Sequence, residues 1–451
     1  MDNDKINYQG YDNKTIDFLI TNEVKIWDKL SLKLNNDKII EGILLPRYEA
    51  SPKNAISIKL DSGYNTGIEI QHILEIEKIG HLKANYRVPE LIITENVNLP
   101  RISILGLGGT IASRLDYTTG GVIPALTPEE LLSMNPELKN IANITTCLIF
   151  EKLSEDLNFD YWLQAAKEIQ REFNNGAKGV VVTHGTDTLG YGAAFLSFAL
   201  KNLPGPVVMT GAQRSSDRPS SDAFQNLMDA TYTAAYCELH KIMVCMHATV
   251  SDGDSILING TAIRKNHSSR RNAFKSINRP PIGFVNHKRK YLVINDKTET
   301  ITSKKDCLIE INSEFEKDVG LIYTYPGIKP SLIKYFIQEG YKGLVIAGTG
   351  LGHVPEQILP VIMEAIQKYG ISIVITTQTL HGFVGLHVYE RGRRLLEIGV
   401  IDGQNLIPET ALIKLSFVLG MKDKKFSTKE LFSQDFCGEK ITREEFEVFP
   451  D

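Results

Sequence analysis

Four short segments of this 451-residue chain, three of them holding glycine, carry hydroxyl, carboxylate and ammonium groups. They are Gly106-Leu107-Gly108-Gly109-Thr110-Ile111-Ala112, Thr183-His184-Gly185-Thr186-Asp187-Thr188, Thr210-Gly211-Ala212-Gln213-Arg214 and Ile263-Arg264-Lys265-Asn266-His267. A threonine hydroxyl is a poor nucleophile at neutral pH and needs a base and an oxyanion partner. The glycines before Thr110 let backbone come close to a ligand and leave the hydroxyl exposed at a sheet edge. Thr186 and Asp187 add a second hydroxyl and a carboxylate. Lys265 could complete a proton relay if partly desolvated, because burial lowers a lysine pKa. Each group also has a plainer reading. Thr186 and Asp187 suit the start of a helix, and a lone lysine is usually a surface group. The glycine turn could cradle phosphate. However, no Gly-Lys-Ser/Thr follows it, and the full dinucleotide spacing is missing.

These segments need a scaffold, and the apolar pattern supplies one. ISILGLGG (102–109), GVVVTH (179–184), PVVMTG (206–211) and IMVCMH (242–247) read as buried strands, with helix-like stretches such as YWLQAAKEIQREF (161–173) between them. β-branched runs alternating with helices indicate βα units and a mostly parallel sheet. Ligands bind such sheets where strands end and helices begin, which is where the four segments fall. The pattern recurs on a smaller scale in GLVIAGTG (343–350), a helix over about 355–369, ISIVITT (371–377) and an amphipathic helix PETALIKLSFVLG (408–420). The first 95 or so residues differ. VKIWDKLSLKL, KIIEGILLP, AISIKLDSGYNTGIEI and ILEIEKIG read as about five short strands separated by polar turns. The expected organisation is a small all-β, barrel-like domain over 1–96, an α/β domain over 97–325 and a second α/β domain over 326–451, with a charged tail wrapping the surface.

Composition bounds the alternatives. Apolar residues make up 42% and charged residues 23%, as in soluble globular chains. No run of about 18 apolar residues suggests a membrane span. Lys+Arg 50 against Asp+Glu 54 does not favour holding nucleic acid by bulk charge. Residues 1–98 carry 12 basic and 15 acidic groups, so the first domain has no electrostatic case for RNA. Residues 255–292 are different, with nine Lys/Arg and no Asp or Glu. That stretch reads either as a solvated or interface loop or as a contact for a partner protein or tRNA. Cys147, Cys237, Cys245, Cys307 and Cys437 form no CxxC pair, which argues against a zinc site and a disulfide framework. The polar start lacks a signal-peptide pattern, and a reducing cytoplasm is the expected location.

GGTIA, the following DYTTG, HGTDT, a TGA segment and the lysine loop together resemble the L-asparaginase/glutaminase amidohydrolases over about 100–420. The resemblance implies that Thr110 and Thr186 are the two catalytic threonines, with Asp187 and Lys265 beside Thr186. It implies that Tyr117 sits on a mobile flap, and that Ser154 and Glu155 belong to a substrate-gripping turn. Ser154 could equally be a helix cap. It also implies a homodimer, because sites of this kind are usually completed across a dimer interface. EGILLPR (41–47), KLDSGYNTGI (59–68), GTGLGHVP (348–355) and CGEKITREEF (437–446) look like a narrower family, the D subunits of archaeal glutamyl-tRNA(Gln) amidotransferases. That resemblance implies ammonia release from glutamine for a partner, the E subunit, acting on Glu-tRNA(Gln). ATP and magnesium would belong to the partner, and this chain would need no cofactor or metal. One departure is Glu390-Arg391, where the family usually has a small polar pair.

Thr110 is then the expected nucleophile, forming an acyl-enzyme. Thr186, Asp187 and Lys265 shuttle protons, and backbone N–H groups near Thr186 suit an oxyanion. Asp187 could instead hold the substrate's ammonium, and Ala212 could present its backbone to the leaving amide. The two threonines could exchange roles. A free-standing asparaginase and a catalytically silent binding protein are the competing readings. The second would be expected to have lost one of Thr110, Thr186, Asp187 and Lys265, and all four are present.

Overall fold

The computed structural model describes residue 8 and residues 10–46, 53–61, 65–81, 96–108, 136–214, 220–295, 308–421 and 425–443, with backbone alone for 113–115 and 122–124. Thr110, Tyr117 and Gly109 lie outside the described residues.

The first domain is an antiparallel sheet of β1 (Asp28–Leu34), β2 (Ile39–Leu44), β3 (Ala55–Leu60), β4 (Asn65–Glu69) and β5 (Ile73–His81), in the order β4-β3-β2-β1-β5. Burial along β1 alternates residue by residue, with Leu30, Leu32 and Leu34 inward. One helix, α1 (Asn13–Thr21), corrects the expectation of an all-β segment. Asp12 caps it by accepting the Thr15 N–H, and Ile16 and Leu19 enter the same core as β1–β3. The pairings leave β4 and β5 as the two edges of the sheet.

The second unit is an eight-stranded sheet. Its strands are β6 (Arg101–Gly108), β7 (Asn143–Lys152), β8 (Gly179–Thr183), β9 (Val207–Thr210), β10 (Ile242–His247), β11 (Ser255–Asn259), β12 (Gly283–Asn286) and β13 (Tyr291–Ile294). The order is β13-β12-β11-β10-β9-β8-β6-β7. The first five strands in the chain run parallel, and the last three are antiparallel additions. β8, β9 and β10 are buried throughout, which explains their continuous apolar runs. Helices α2 (Phe159–Asn174) and α3 (Leu189–Ala199) cover one face, and α4 (Ala223–Tyr236) covers the other. Along α2, Trp162, Ala165, Ala166, Ile169 and Phe173 form the buried stripe of an amphipathic helix.

The third unit is a parallel sheet of β14 (Val319–Tyr323), β15 (Gly343–Gly348), β16 (Ser372–Thr377) and β17 (Ile401–Asp402), in chain order. β14 lies ahead of the expected division at 325/326, so the third unit starts earlier than that boundary. β14 is an edge strand with one neighbour, and its burial alternates, with Gly320 and Ile322 inward. Helices α5 (Ser331–Gln338), α6 (Leu359–Gln367) and α7 (Glu390–Ile398) pack on one face. α8 (Pro408–Gly420) packs on the other and reaches across to α3, so it is buried nearly all round instead of amphipathic. The tail does more than wrap the surface. Helix α9 (Thr428–Ser433) starts with a Ser427–Glu430 capping box, and the segment after it buries Glu439.

Candidate active site

Three of the four chemistry-bearing segments meet at the C-terminal edge of the eight-stranded sheet. Thr183 ends β8, and the turn from His184 to Thr188 leads into α3. Thr186 is 5% exposed. The Lys265 ammonium donates to Thr186 Oγ1 at 2.9 Å and to Asp187 Oδ1 at 2.8 Å. The Asp187 side chain is 67% exposed, whereas that of Lys265 is 15% exposed. The hydrogen-bonded line therefore runs from a buried hydroxyl to a carboxylate at the rim. Asp187 does not cap α3. Thr188 occupies the N-cap position, and its hydroxyl donates instead to the Ser154 carbonyl at 2.6 Å.

Lys265 was expected on a loop, but it closes a short strand. Ile263–Lys265 pairs antiparallel with Phe274–Ser276, setting Lys265 opposite Phe274. A backbone bond from Asn266 N to Ala273 O, 2.7 Å, continues the hairpin. The turn beyond is built on His267, whose Nδ1 accepts the N–H groups of Ser269 and Arg270, both at 3.1 Å.

The geometry of the 183–188 turn rests on His184, to which the residue pattern alone assigned no role. The Trp162 indole N–H donates to His184 Nε2 at 3.1 Å. An indole can only donate, so Nε2 is the acceptor and Nδ1 carries the proton. Nδ1 then donates to the Gly185 carbonyl at 2.6 Å. Burial pushes the imidazole pKa down to about 4, so the ring stays neutral. The signal available in the sequence was the apolar run leading straight into a histidine.

The 210–214 turn is fixed from behind. Asp222 accepts the N–H groups of Gln213, at 3.1 Å, and Arg214, at 2.9 Å. Asn226 Nδ2 donates to the Gly211 carbonyl at 2.9 Å, and His247 Nδ1 meets Asn226 Oδ1 at 2.6 Å. A Cβ on Gly211 would lie 2.6 Å from the His184 carbonyl and 3.1 Å from the Thr186 methyl, so only glycine lets the turns touch. Ala212 is fully buried beside this contact.

Ser154 is buried and opens a single 3₁₀ turn, Ser154–Asp156, directly after β7. Its hydroxyl lies 3.5 Å from Glu155 Oε2, too far for a strong bond, and Glu155 itself is exposed. Gly108 ends β6 at φ +85°, where a Cβ would sit 2.5 Å from the Lys152 carbonyl. β6 therefore ends directly beside the strand that delivers Ser154. Among the described residues, no group of three or more His, Cys, Asp or Glu side chains could hold a metal ion, and no helix is long and apolar enough to cross a membrane.

The basic stretch is largely turned inward. Arg264 pairs with Glu409, Lys265 with Asp187 and Arg271 with Asp252, while Arg279 donates to the Gly438 and Lys440 carbonyls. Lys288, Arg289 and Lys290 stand exposed on the turn between β12 and β13.

Residues 101–298 match the asparaginase N-terminal family, residues 318–432 the glutaminase/asparaginase C-terminal domain, and residues 24–79 the GatD N-terminal domain. A glutamyl-tRNA(Gln) amidotransferase D subunit from Pyrococcus furiosus is 44% identical over 400 residues, covering 88% of this chain and 90% of that protein. The chain belongs to the family of glutamyl-tRNA(Gln) amidotransferase D subunits. The family member from Pyrococcus horikoshii is 41% identical over 437 residues, covering 96% of this chain and 99% of its own. The thermostable L-asparaginase from Thermococcus kodakarensis superposes with a TM-score of 0.66 at 31% identity, covering 75% of this chain and 98% of the enzyme. L-asparaginase I from Vibrio cholerae gives 0.64 at 27% identity, covering 76% of this chain and 99% of that one. As a D-subunit family member with an asparaginase/glutaminase core, the chain is an amidohydrolase component of such an amidotransferase.

Proposed function

We propose that the chain releases ammonia from glutamine and hands it to a partner, the E subunit, which uses it to convert Glu-tRNA(Gln) to Gln-tRNA(Gln). The observation that carries this reading is the Lys265 ammonium within hydrogen-bond reach of both Thr186 and Asp187, in a chain of this family. Thr110 Oγ attacks the side-chain amide carbon and gives its proton to the relay. The C–N bond breaks, and the nitrogen takes a proton and leaves as ammonia. Water, deprotonated through Thr186 and Lys265, then adds to the ester, and its C–O bond to Thr110 breaks to release glutamate. The two threonines could exchange these roles.

Backbone N–H groups at the start of α3 suit the oxyanion. Ser154, Glu155 and Asp187 are the candidate grips for the amino-acid end of the substrate. Ala212 presents its backbone to the leaving amide, and Tyr117 is the candidate flap tyrosine. ATP and magnesium belong with the partner, and no cofactor is needed here. The working assembly is a homodimer of this chain with the E subunit in the cytoplasm.

The test is ammonia release from glutamine and from asparagine, by the chain alone and with its partner and Glu-tRNA(Gln). Low glutamine turnover that rises strongly in the full mixture is the expected result. Fast asparagine hydrolysis indifferent to the additions would make the chain a free-standing asparaginase. No amide turnover in any mixture would make it a silent binding protein.

A further inference from the structure

We propose that Arg264 is a positioning residue for Lys265, and that through it the second α/β domain sets the lysine's distance from Thr186. The inference rests on the amidohydrolase reading above. Arg264 and Lys265 are neighbours on the strand Ile263–Lys265, so their side chains leave on opposite faces. One face delivers Lys265 to Thr186 and Asp187. The other delivers Arg264 to the second domain, where its Nε meets Glu409 Oε1 at 3.1 Å and its Nη2 donates to the Tyr323 hydroxyl at 2.7 Å. The Arg264 and Glu409 side chains are 15% and 14% exposed, so this is a sheltered contact.

The anchors are rigid. Glu409 is in the first turn of α8, which is buried between the two α/β domains, and Tyr323 ends β14. The residue after Glu409 adds a third tie, as Thr410 Oγ1 donates to the Thr261 carbonyl at 2.8 Å. The hairpin therefore carries the domain's hold on one face and the relay on the other. Register also sets Arg264 opposite Lys275 across the hairpin. Two like charges directly opposed loosen a strand pair, and Glu409 offsets them. The third Arg264 nitrogen, Nη1, and the second Glu409 oxygen are buried without a protein partner among the described residues. Removing either charge alone would leave the other poorly solvated.

Lysine reaches its target through a flexible four-carbon stem, so the location of its ammonium depends on the backbone that carries it. Loosening the hairpin misplaces the ammonium without removing any group that grips substrate. The signature is a loss of kcat with KM held.

The experiment measures kcat and KM for ammonia release from glutamine in the assembled complex, alongside the thermal midpoint. The variants are Glu409→Gln, Arg264→Lys and Tyr323→Phe. Glu409→Gln keeps the shape and loses the charge, and it is expected to lower kcat by about tenfold to a hundredfold with KM unchanged. Arg264→Lys keeps the charge but loses the fork, and it should fall between Glu409→Gln and wild type. Tyr323→Phe removes a single hydroxyl at a partly exposed position. It keeps the question answerable if Glu409→Gln fails to fold, and a several-fold loss of kcat is expected. Folded variants with wild-type kcat would overturn the positioning role. So would losses in which kcat and KM both move in step with the thermal midpoint, which would mark a merely structural contact. A wild-type complex inactive on glutamine and asparagine alike would overturn the amidohydrolase reading itself.

Discussion

Lys414 and Glu439 form an ion pair 2.6 Å long with both side chains wholly shut off from solvent. Lys414 projects from the middle of α8 and also donates to the Gln434 carbonyl at 2.6 Å. Its ammonium lies 5.1 Å from the Phe432 ring centre and 5.6 Å from that of Phe436. Glu439 accepts the Phe436 and Cys437 N–H groups, so its carboxylate is well satisfied. Burial opposes its charge, yet the Asp435 carboxyl and Lys414 hold its pKa down to about 2. Burial also pushes Lys414 down, and Glu439 counters it.

Breaking such a pair from one side strands a buried charge. Lys414→Met or Glu439→Gln alone is expected to cost about 3–5 kcal/mol of stability. Replacing both with apolar residues should cost far less. Urea unfolding of the three variants checks this. Equal losses for single and double replacements would show that the pair does not act as a unit.

The pH dependence of stability has a contributor at His184. Its pKa is about 4 in the fold, below the ordinary 6.5, so the native state refuses a proton that the unfolded chain accepts. The stabilisation is complete above pH 6.5 and is lost as pH falls toward 4, on the order of 3 kcal/mol in all. His184→Gln should flatten the stability profile over that window. Unfolding midpoints of both proteins between pH 4 and 7 decide the point, and parallel curves would count against it.

The proposed relay gives an activity prediction. Lys265→Met and Thr186→Val should lower kcat for glutamine by about 10²–10⁴-fold, the usual contribution of a positioned proton-transfer group. Because the Asp187 side chain is 67% exposed, Lys265→Met should leave the thermal midpoint nearly unchanged. Steady-state ammonia assays read the first effect and calorimetry the second.

Asn226→Ala tests the support behind the 210–214 turn. It removes the donor to the Gly211 carbonyl and leaves His247 Nδ1 without its acceptor. About 1–3 kcal/mol of stability should go with the unsatisfied groups. If the turn helps seat the substrate, kcat/KM for glutamine falls as well. A stable variant with wild-type kinetics would remove this turn from the site.

Much of this molecule could be read from residue patterns, and the exceptions have physical causes. β8, β9 and β10 were legible because strands buried on both faces carry unbroken apolar runs. Thr186, Asp187 and Lys265 stood out because hydroxyl, carboxylate and ammonium groups followed such strands or glycine turns. β14 hid because it is a run of only five residues set between polar stretches. α1 hid because Thr15, Ile16 and Ile20 are β-branched, and its cap at Asp12 outweighs that local preference. The burial of α8 was obscured by Lys414, which reads as a polar face until Glu439 arrives from the tail. The Arg264–Glu409 contact was invisible because nothing local links two segments so far apart in the chain.

The placement of α8 has a consequence during synthesis. Ile413, Phe417 and Val418 complete the core that also contains Phe195 and Phe198 of α3. A ribosome adding about 5–20 residues per second needs roughly ten to forty seconds to travel from Ala199 to Pro408. Throughout that interval the nascent chain carries the apolar side of α3 with its permanent cover still unmade. A chain ended just ahead of Pro408 is accordingly expected to bind an apolar dye that the whole protein ignores. The newborn protein thus passes through a sticky adolescence, and chaperones have that long in which to shield it.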